Sequence, residues 1–364
     1  MDRAKRSPRA RNVMWKLARA TITLGGLGLT GAAAGAAVLA VGYQSWRERS
    51  RVDWTGQVVL VSGGSRGLGY AIAREFVDQG ARVAICARDS TELERARLKL
   101  APRAGPAGGV FPLTCDLRQP DMPGAVVDAV RSHWGRVDVL VHNAGVIQVG
   151  PWDLMGEADF AEAMDIHFWA ALRLARAVLP DMIARRQGRI VNISSIGGVV
   201  PVPHMLPYTA SKFALVGLSQ GLASEVRRDG VRVTCVCPFL TRTGSQEHVT
   251  IRGDHDREYA WFATSGSMPG TSQSAAHVAR AVLRAAAHGP AQVTLALPGK
   301  LAALAHGVAP SATVAAMAQA NRLLPQPRHG DDAAARSGAD SYNAWTNRVV
   351  RPLVQQAGSE LNQA

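Results

Sequence analysis

The sequence predicts an α/β fold, a doubly wound parallel sheet, from three observations. Short apolar runs alternate with stretches of helical periodicity between residue 54 and about residue 300. Those runs are apolar on both sides, which suits strands covered by helices on both faces. The first run passes directly into a glycine-rich turn and then into a helix start, Ser62-Gly63-Gly64-Ser65-Arg66-Gly67-Leu68-Gly69. Strand, glycine turn and helix together make an anion site, because backbone N–H groups and the helix dipole point at one place.

Composition narrows the classes. Of 364 residues 47% are hydrophobic and 19% charged, enough apolar material for a full core, which excludes a wholly disordered chain. The 36 glycines and 19 prolines are aperiodic, so the chain is not collagen-like, and four cysteines are too few for a disulfide scaffold. The net charge of +13 suggests nucleic acid until it is located. Residues 1–51 carry ten basic and two acidic side chains, a net +8, leaving +5 for the rest. The basicity belongs to a terminal arm, and no nucleic-acid partner is expected.

Taken in order, residues 1–20 are the basic arm. Residues 21–43 contain no charge, a length that spans a hydrocarbon core about 30 Å thick at 1.5 Å per residue. Trp15, Tyr43 and Trp46 flank this run, as interfacial aromatics do. The expectation is an N-terminal transmembrane helix that anchors the protein, with the catalytic domain facing the cytoplasm. Both flanks are basic, so charge alone leaves topology open, and a peripheral or re-entrant helix is the alternative. Strand candidates follow at 57–61, 82–86, 110–113, 137–141, 189–193, 231–236 and 292–297. Helices are expected at 68–79, 92–100, 272–288 and from 208 to about 228. Residues 244–270 read as a long, poorly periodic segment. Residues 301–324 form an apolar helical extension broken by Pro310. Residues 325–364 are a polar linker and tail, in which Trp345, Val349 and Leu353 are spaced by four as on a short helix.

The end of the second strand bears on the cofactor. An acidic residue there binds a ribose 2′-hydroxyl, whereas Arg88, with Arg66 in the glycine turn, could clamp a 2′-phosphate. NADP(H) is favoured, and Asp89 keeps NAD(H) as the alternative. Tyr208 and Lys212, at i and i+4, share a helix face. An ammonium beside a phenol lowers its pKa toward the working range of an acid/base catalyst. Ser195, just past a strand, can face the same cleft. Cys235 and Cys237 are read as buried thiols facing opposite sides of their strand, and ten scattered histidines show no ligand spacing, so no metal is assigned.

These pieces together resemble the short-chain dehydrogenase/reductase family. The matching motifs are Ser-Gly-Gly-Ser-Arg-Gly-Leu-Gly at 62–69, Cys-Asp-Leu at 115–117, His-Asn-Ala-Gly at 142–145, Ser194-Ser195, Tyr-Thr-Ala-Ser-Lys at 208–212 and Cys-Pro-Phe-Leu-Thr-Arg-Thr at 237–243. The resemblance covers about residues 54–245 and implies a single Rossmann-type catalytic domain over 54–300. It implies that Gly63, Ser65, Arg66, Gly67, Leu68 and Gly69 hold the pyrophosphate and adenosine side. Asp116 and Leu117 would contact adenine, and Asn143, Ala144 and Gly145 would line ribose and nicotinamide. Pro238 and Thr243 would meet the nicotinamide end. Tyr208 would be the proton donor in reduction, Lys212 would bind the ribose and lower the tyrosine pKa, and Ser195 would hold the substrate oxygen. A homo-oligomer, dimer or tetramer, is implied through helices near 160–186 and 208–228.

Several positions depart from the family pattern. Ser62 stands for Thr, His142 for Asn, and Phe239 for the Gly after the proline. His167 stands where the family commonly has an Asn that supports a proton relay, and an imidazole could serve there. The expected activity is hydride transfer between NADP(H) and a carbonyl or secondary alcohol carbon of a lipophilic substrate. The resemblance makes 244–270 a lid over the substrate, and its Tyr259, Trp261, Phe262 and Met268, with Trp152 and Met205, would form an apolar cavity. The rivals are a non-catalytic NADP-binding scaffold or redox sensor, and a dehydratase or epimerase of the same family.

Overall fold

A computed structural model describes residues 52–268, 270–326 and 334–363. The basic arm and the 21–43 run lie outside the described residues. Among the described residues, no helix is long and apolar enough to cross a membrane.

The compact body begins at Asp53. Seven strands form one parallel sheet: β1 Val58–Ser62, β2 Arg82–Ala87, β3 Gly109–Thr114, β4 Val139–His142, β5 Gly188–Ile193, β6 Val231–Cys237 and β7 Gln292–Thr294. Their order across the sheet is β7-β6-β5-β4-β1-β2-β3. The order reverses between β1 and β4, which opens a crevice at the carboxyl ends of the strands. All five residues of β1 are buried, as expected for a strand with helices on both faces. The strand candidates match within a residue or two, except the last. Leu297 begins a helix, because Pro298 at its first turn cannot continue a sheet ladder.

The helices are α1 Gly67–Asp78, α2 Ser90–Leu100, α3 Met122–Trp134, α4 Glu157–Met164, α5 Ala170–Ala184, α6 Leu206–Val226, α7 His255–Ser267, α8 Ala275–His288, α9 Leu297–Val308, α10 Pro310–Asn321 and α11 Ala344–Glu360. A π-helical segment, Asp165–Trp169, joins α4 to α5. The extra residue in that turn rotates Ile166 and His167 inward, and both are buried. The main core contains Leu60, Leu140, Ile190 and Val233 of the sheet, with Leu174 and Val178 of α5.

A second cluster lies under the lid. It joins Val149, Val249 and Ile251 to Tyr259 and Ala263 of α7, and to Val350 and Val354 of α11. The lid expected to be irregular thus contains a 13-residue helix. The tail expected to be polar contributes buried residues to the same core. Its buried face is Thr346, Val350, Val354 and Gly358, one residue on from the expected Trp345, Val349 and Leu353. Trp345 is 49% exposed.

Candidate active site

One cleft of about 970 Å³ is lined by residues that follow directly on the ends of β1, β2, β4, β5 and β6. At its centre is the glycine turn. Gly63 has φ +64°, and a Cβ there would meet Ala144 Cα at 2.9 Å, while any Cβ at Gly69 would collide with the Gly63 carbonyl. Only glycine lets β1, α1 and the segment after β4 approach this closely. Helix α1 starts at Gly67 with no acidic residue in its first turn, which leaves its positive end unneutralised toward the cleft. This cradle fits a dinucleotide pyrophosphate.

The turn is braced by His142 and Ser62, two of the departures from the family pattern. His142 is fully buried and desolvation pushes its pKa down to about 3, so the ring is neutral. Its Nε2 donates to the Ile166 carbonyl at 3.0 Å, and its Nδ1 accepts from the Ser62 hydroxyl at 3.0 Å; the tautomer follows from the partners. Ser62 Oγ in turn accepts from the N–H groups of Asn143 and Ala144 at 3.0 and 3.1 Å. Asn143 Nδ2 donates to the carbonyls of Ser62 and Gly63. The imidazole thereby ties the π-segment to the glycine turn.

At the adenosine end, Arg66, Arg88, Asp116 and Leu117 line the cleft. Asp89 caps α2, its carboxylate accepting from the Glu92 N–H at 2.9 Å. That acidic group therefore has a structural task. Glu92, which the sequence reading did not single out, pairs with Arg66 at 3.2 Å and accepts from Ser65 Oγ at 3.0 Å. Arg66 also meets His248 Nε2 at 2.6 Å. The expected free clamp of Arg66 is already engaged, and Arg88 is the simpler basic contact. Asp116 is held by Arg118 at 2.7 Å, and this pairing keeps its carboxyl below the usual range.

At the other end, Ser195, Tyr208 and Lys212 line the same cleft. Ser195 follows β5 and caps the turn Ile196–Gly198, its Oγ accepting from the Gly197 N–H at 3.1 Å. Pro238 fixes that turn by accepting from the Ile196 N–H at 2.8 Å. Lys212 Nζ donates to the Ile193 carbonyl at 2.9 Å and lies 5.7 Å from the Tyr208 ring centre. Desolvation lowers its pKa to about 8. Tyr208 keeps part of its surface in the cleft, but the protein packed round its hydroxyl pushes its pKa up to about 12, against a lowering by its hydrogen bond with Ser195. The balance lies with desolvation, and not with the depression expected from Lys212. Tyr208 is therefore a protonated phenol at neutral pH, the form that donates.

His167 is fully buried behind these groups, and desolvation and the nearby Lys212 hold it well below its usual pKa. Its Nε2 accepts from the Val146 N–H at 3.2 Å and its Nδ1 donates to Ser211 Oγ at 2.8 Å. Ser211 passes that bond on to the Pro207 carbonyl at 2.9 Å. Nδ1 thus ties the ring to α6, which carries Tyr208, and Nε2 ties it to the segment after β4, so neither ring nitrogen is left free for the proton relay expected of His167. The ring also stacks edge-on against Tyr208, with centroids 5.5 Å apart.

The short chain dehydrogenase family matches residues 57–252, the stretch that contains Ser195, Tyr208, Lys212 and His167. The chain belongs to the short-chain dehydrogenase family. Oxidoreductase UcpA of Escherichia coli (strain K12) is 36% identical over 196 residues, 54% of this chain and 73% of that protein. The L-sorbose reductase of Gluconobacter frateurii, solved with NADPH and L-sorbose, aligns with a TM-score of 0.60 at 27% identity. That alignment covers 67% of this chain and 97% of the reductase. A metagenomic short-chain oxidoreductase solved with NADP aligns with a TM-score of 0.55 at 32% identity, covering 67% and 98%. This dehydrogenase is accordingly an oxidoreductase built for a nicotinamide cofactor.

The substrate side of the dehydrogenase cleft is walled by Val202, Met205, Trp261 and Phe262. Two aromatics expected there lie elsewhere: Tyr259 is fully buried beneath the lid, and Trp152 is 72% exposed. His204 joins the buried Glu258 at 2.7 Å, and Glu258 also accepts from Trp261 Nε1 at 2.7 Å. That pair clamps the lid to the segment leading into Tyr208. Cys235 and Cys237, two positions apart on β6, lie on one face with their sulfurs 3.9 Å apart. The expectation of opposite faces fails because side chains in a strand repeat every second residue. Among the described residues no group of three metal-ligating side chains occurs.

The C-terminal segment is the part of the site that sequence reasoning missed. After α11 the Leu361 carbonyl accepts from the Gly67 N–H at 2.9 Å. Gln363 lines the cleft, and its Nε2 donates to the Thr243 carbonyl. No motif signals this, since the partners lie about 120 to 300 residues away in sequence.

Proposed function

We propose that this dehydrogenase is an NADP(H)-dependent carbonyl reductase or secondary alcohol dehydrogenase acting on a lipophilic substrate. The observation that carries this reading is the convergence of Ser195, Tyr208 and Lys212 at one end of the cleft whose centre is the glycine cradle. When bound, the nicotinamide supplies or accepts the hydride. Ser195 orients the substrate oxygen by a hydrogen bond. Tyr208, protonated at neutral pH, gives that oxygen its proton. Lys212, held by Ile193, places positive charge beside the phenol as it becomes phenolate. NADP(H) rather than NAD(H) is supported by Arg88 and by Asp89 being occupied in capping, and by the cofactors named for the two solved relatives.

The apolar wall of Met205, Trp261 and Phe262 supports the lipophilic substrate. The uncharged 21–43 run supports a membrane-anchored protein, and the need for a soluble nucleotide cofactor supports a body on the cytoplasmic side. Exposed apolar side chains on α6 and beside α5, Phe213 and Trp169, support assembly into a homo-oligomer.

The test is NADPH and NADH oxidation against a panel of apolar and polar carbonyls, with Tyr208→Phe alongside. The expected outcome is NADPH-preferring turnover that favours apolar carbonyls and falls by at least about a thousandfold in Tyr208→Phe, with NADPH affinity retained. A general acid alone accounts for roughly 10²- to 10⁴-fold. Turnover that survives in Tyr208→Phe would sink the assignment.

A further inference from the structure

We propose that residues Leu361–Gln363 form a bar across the dinucleotide path, which the cofactor must displace to bind. The inference rests on the reading of the cleft as a dinucleotide site. On that reading the path from the adenosine end, at Arg88 and Asp116, to the nicotinamide end, at Asn143 and Tyr208, passes along Gly67 and Thr243, which both line the cleft. Gln363 lies across that stretch. Its carboxamide donates to the Thr243 carbonyl on one wall, and its Nε2 lies 2.9 Å from where a Cβ of Gly67 would sit on the other. The Gly67 N–H at the start of α1 is bonded to the Leu361 carbonyl. A neutral carbonyl oxygen therefore takes a donor that a phosphate oxygen would need.

The bar is held by a latch of a different character. Asn362 is 1% exposed, with a left-handed backbone at φ +64°, a conformation that asparagine tolerates better than most residues. Its Nδ2 donates to the carbonyls of Ser65 at 2.7 Å and Glu92 at 3.1 Å, and its Oδ1 accepts from Arg95 Nε at 3.1 Å. Every polar atom of that side chain is satisfied. Gln363 is not: its Oε1 is buried without a hydrogen-bond partner. A buried acceptor without a partner is unfavourable, so the side chain lying across the path is the weakly held part. Asn362 fixes where the bar returns, and Gln363 is free to leave. The same strand of chain is continuous with α11, whose Val350 and Val354 pack in the lid cluster, and Gly244 packs against Gly358. Movement of the bar is thereby joined to the wall of the substrate cavity.

The experiment compares the full chain with Gln363→Gly, Asn362→Ala and a chain ending at Glu360. NADPH binding is measured by titration and by stopped-flow fluorescence, and thermal unfolding confirms that each variant is folded. If the path is open a tenth of the time in the full chain, freeing it raises apparent affinity about tenfold. The expected result is tighter and faster binding in Gln363→Gly and in the shortened chain. In the full chain, hydrogen exchange in the peptide 358–363 should quicken when NADPH is added. Equal or weaker NADPH binding by Gln363→Gly, or slower exchange of that peptide on binding, overturns the bar and leaves the dinucleotide reading standing. Absence of binding by the full and the shortened chain alike overturns both.

Discussion

Lys212 sets the pH behaviour at the scale of single residues. Its pKa is lowered to about 8 by desolvation, while Tyr208 is raised to about 12. Below pH 8 the lysine is charged and the phenol protonated, the pair that the proposed reduction requires. As pH rises through about 8 the ammonium is lost while the phenol keeps its proton, so the developing phenolate loses its counter-charge. The kcat/KM for carbonyl reduction should be flat on the acid side and fall about tenfold per pH unit above the break. A profile that stays level to pH 10 would show that the lysine charge does not govern the step. The motif residues were legible because each motif is contiguous and its chemistry needs particular side chains. His167 was legible as an oddity only, since nothing local tells that Val146 and Ser211 occupy both its nitrogens.

Helices and strands were legible where their partners are near in sequence. The β-branched runs gave six of the seven strands almost to the residue, because a strand buried on both faces writes its burial into its own composition. The lid and α11 were not legible in the same way. Their apolar faces are defined by each other, across about ninety residues, and not by a strong local period. This exchange can be tested on α11. Val354→Ala removes volume from the cluster that holds Tyr259 and Ala263 and should lower stability by about 1–3 kcal/mol. It should also raise KM for the carbonyl substrate more than it lowers kcat, since that cluster backs the wall containing Trp261. Trp345→Ala, on the exposed face, should shift the denaturation midpoint by less than about 0.5 kcal/mol. A larger effect of Trp345→Ala than of Val354→Ala would mean that the buried face is the one expected from spacing.

Across the whole molecule, the least absorbed surface is the helical pair α9 and α10. Leu301, Leu304, Val308 and Val314 are 57, 64, 77 and 50% exposed. The pair meets the body near the cleft, where a Cβ added at Gly299 would lie 3.3 Å from the Phe239 ring. Because these leucines support no core, the double substitution Leu301→Glu with Leu304→Glu should leave the denaturation midpoint within about 0.5 kcal/mol of wild type. A collapse of stability would show that the pair is part of the fold's foundation. The position of α11 has a further consequence, for the order in which the protein is made. The sheet is complete when Thr294 has been synthesised, yet the residues that back the lid and cross the cleft come roughly 70 positions later, about 4–14 s at ordinary ribosomal rates. During that interval the nascent chain has its glycine cradle without its cover. A nucleotide captured then would be enclosed by the last helix as it emerges, whereas the released protein presents the cleft already crossed.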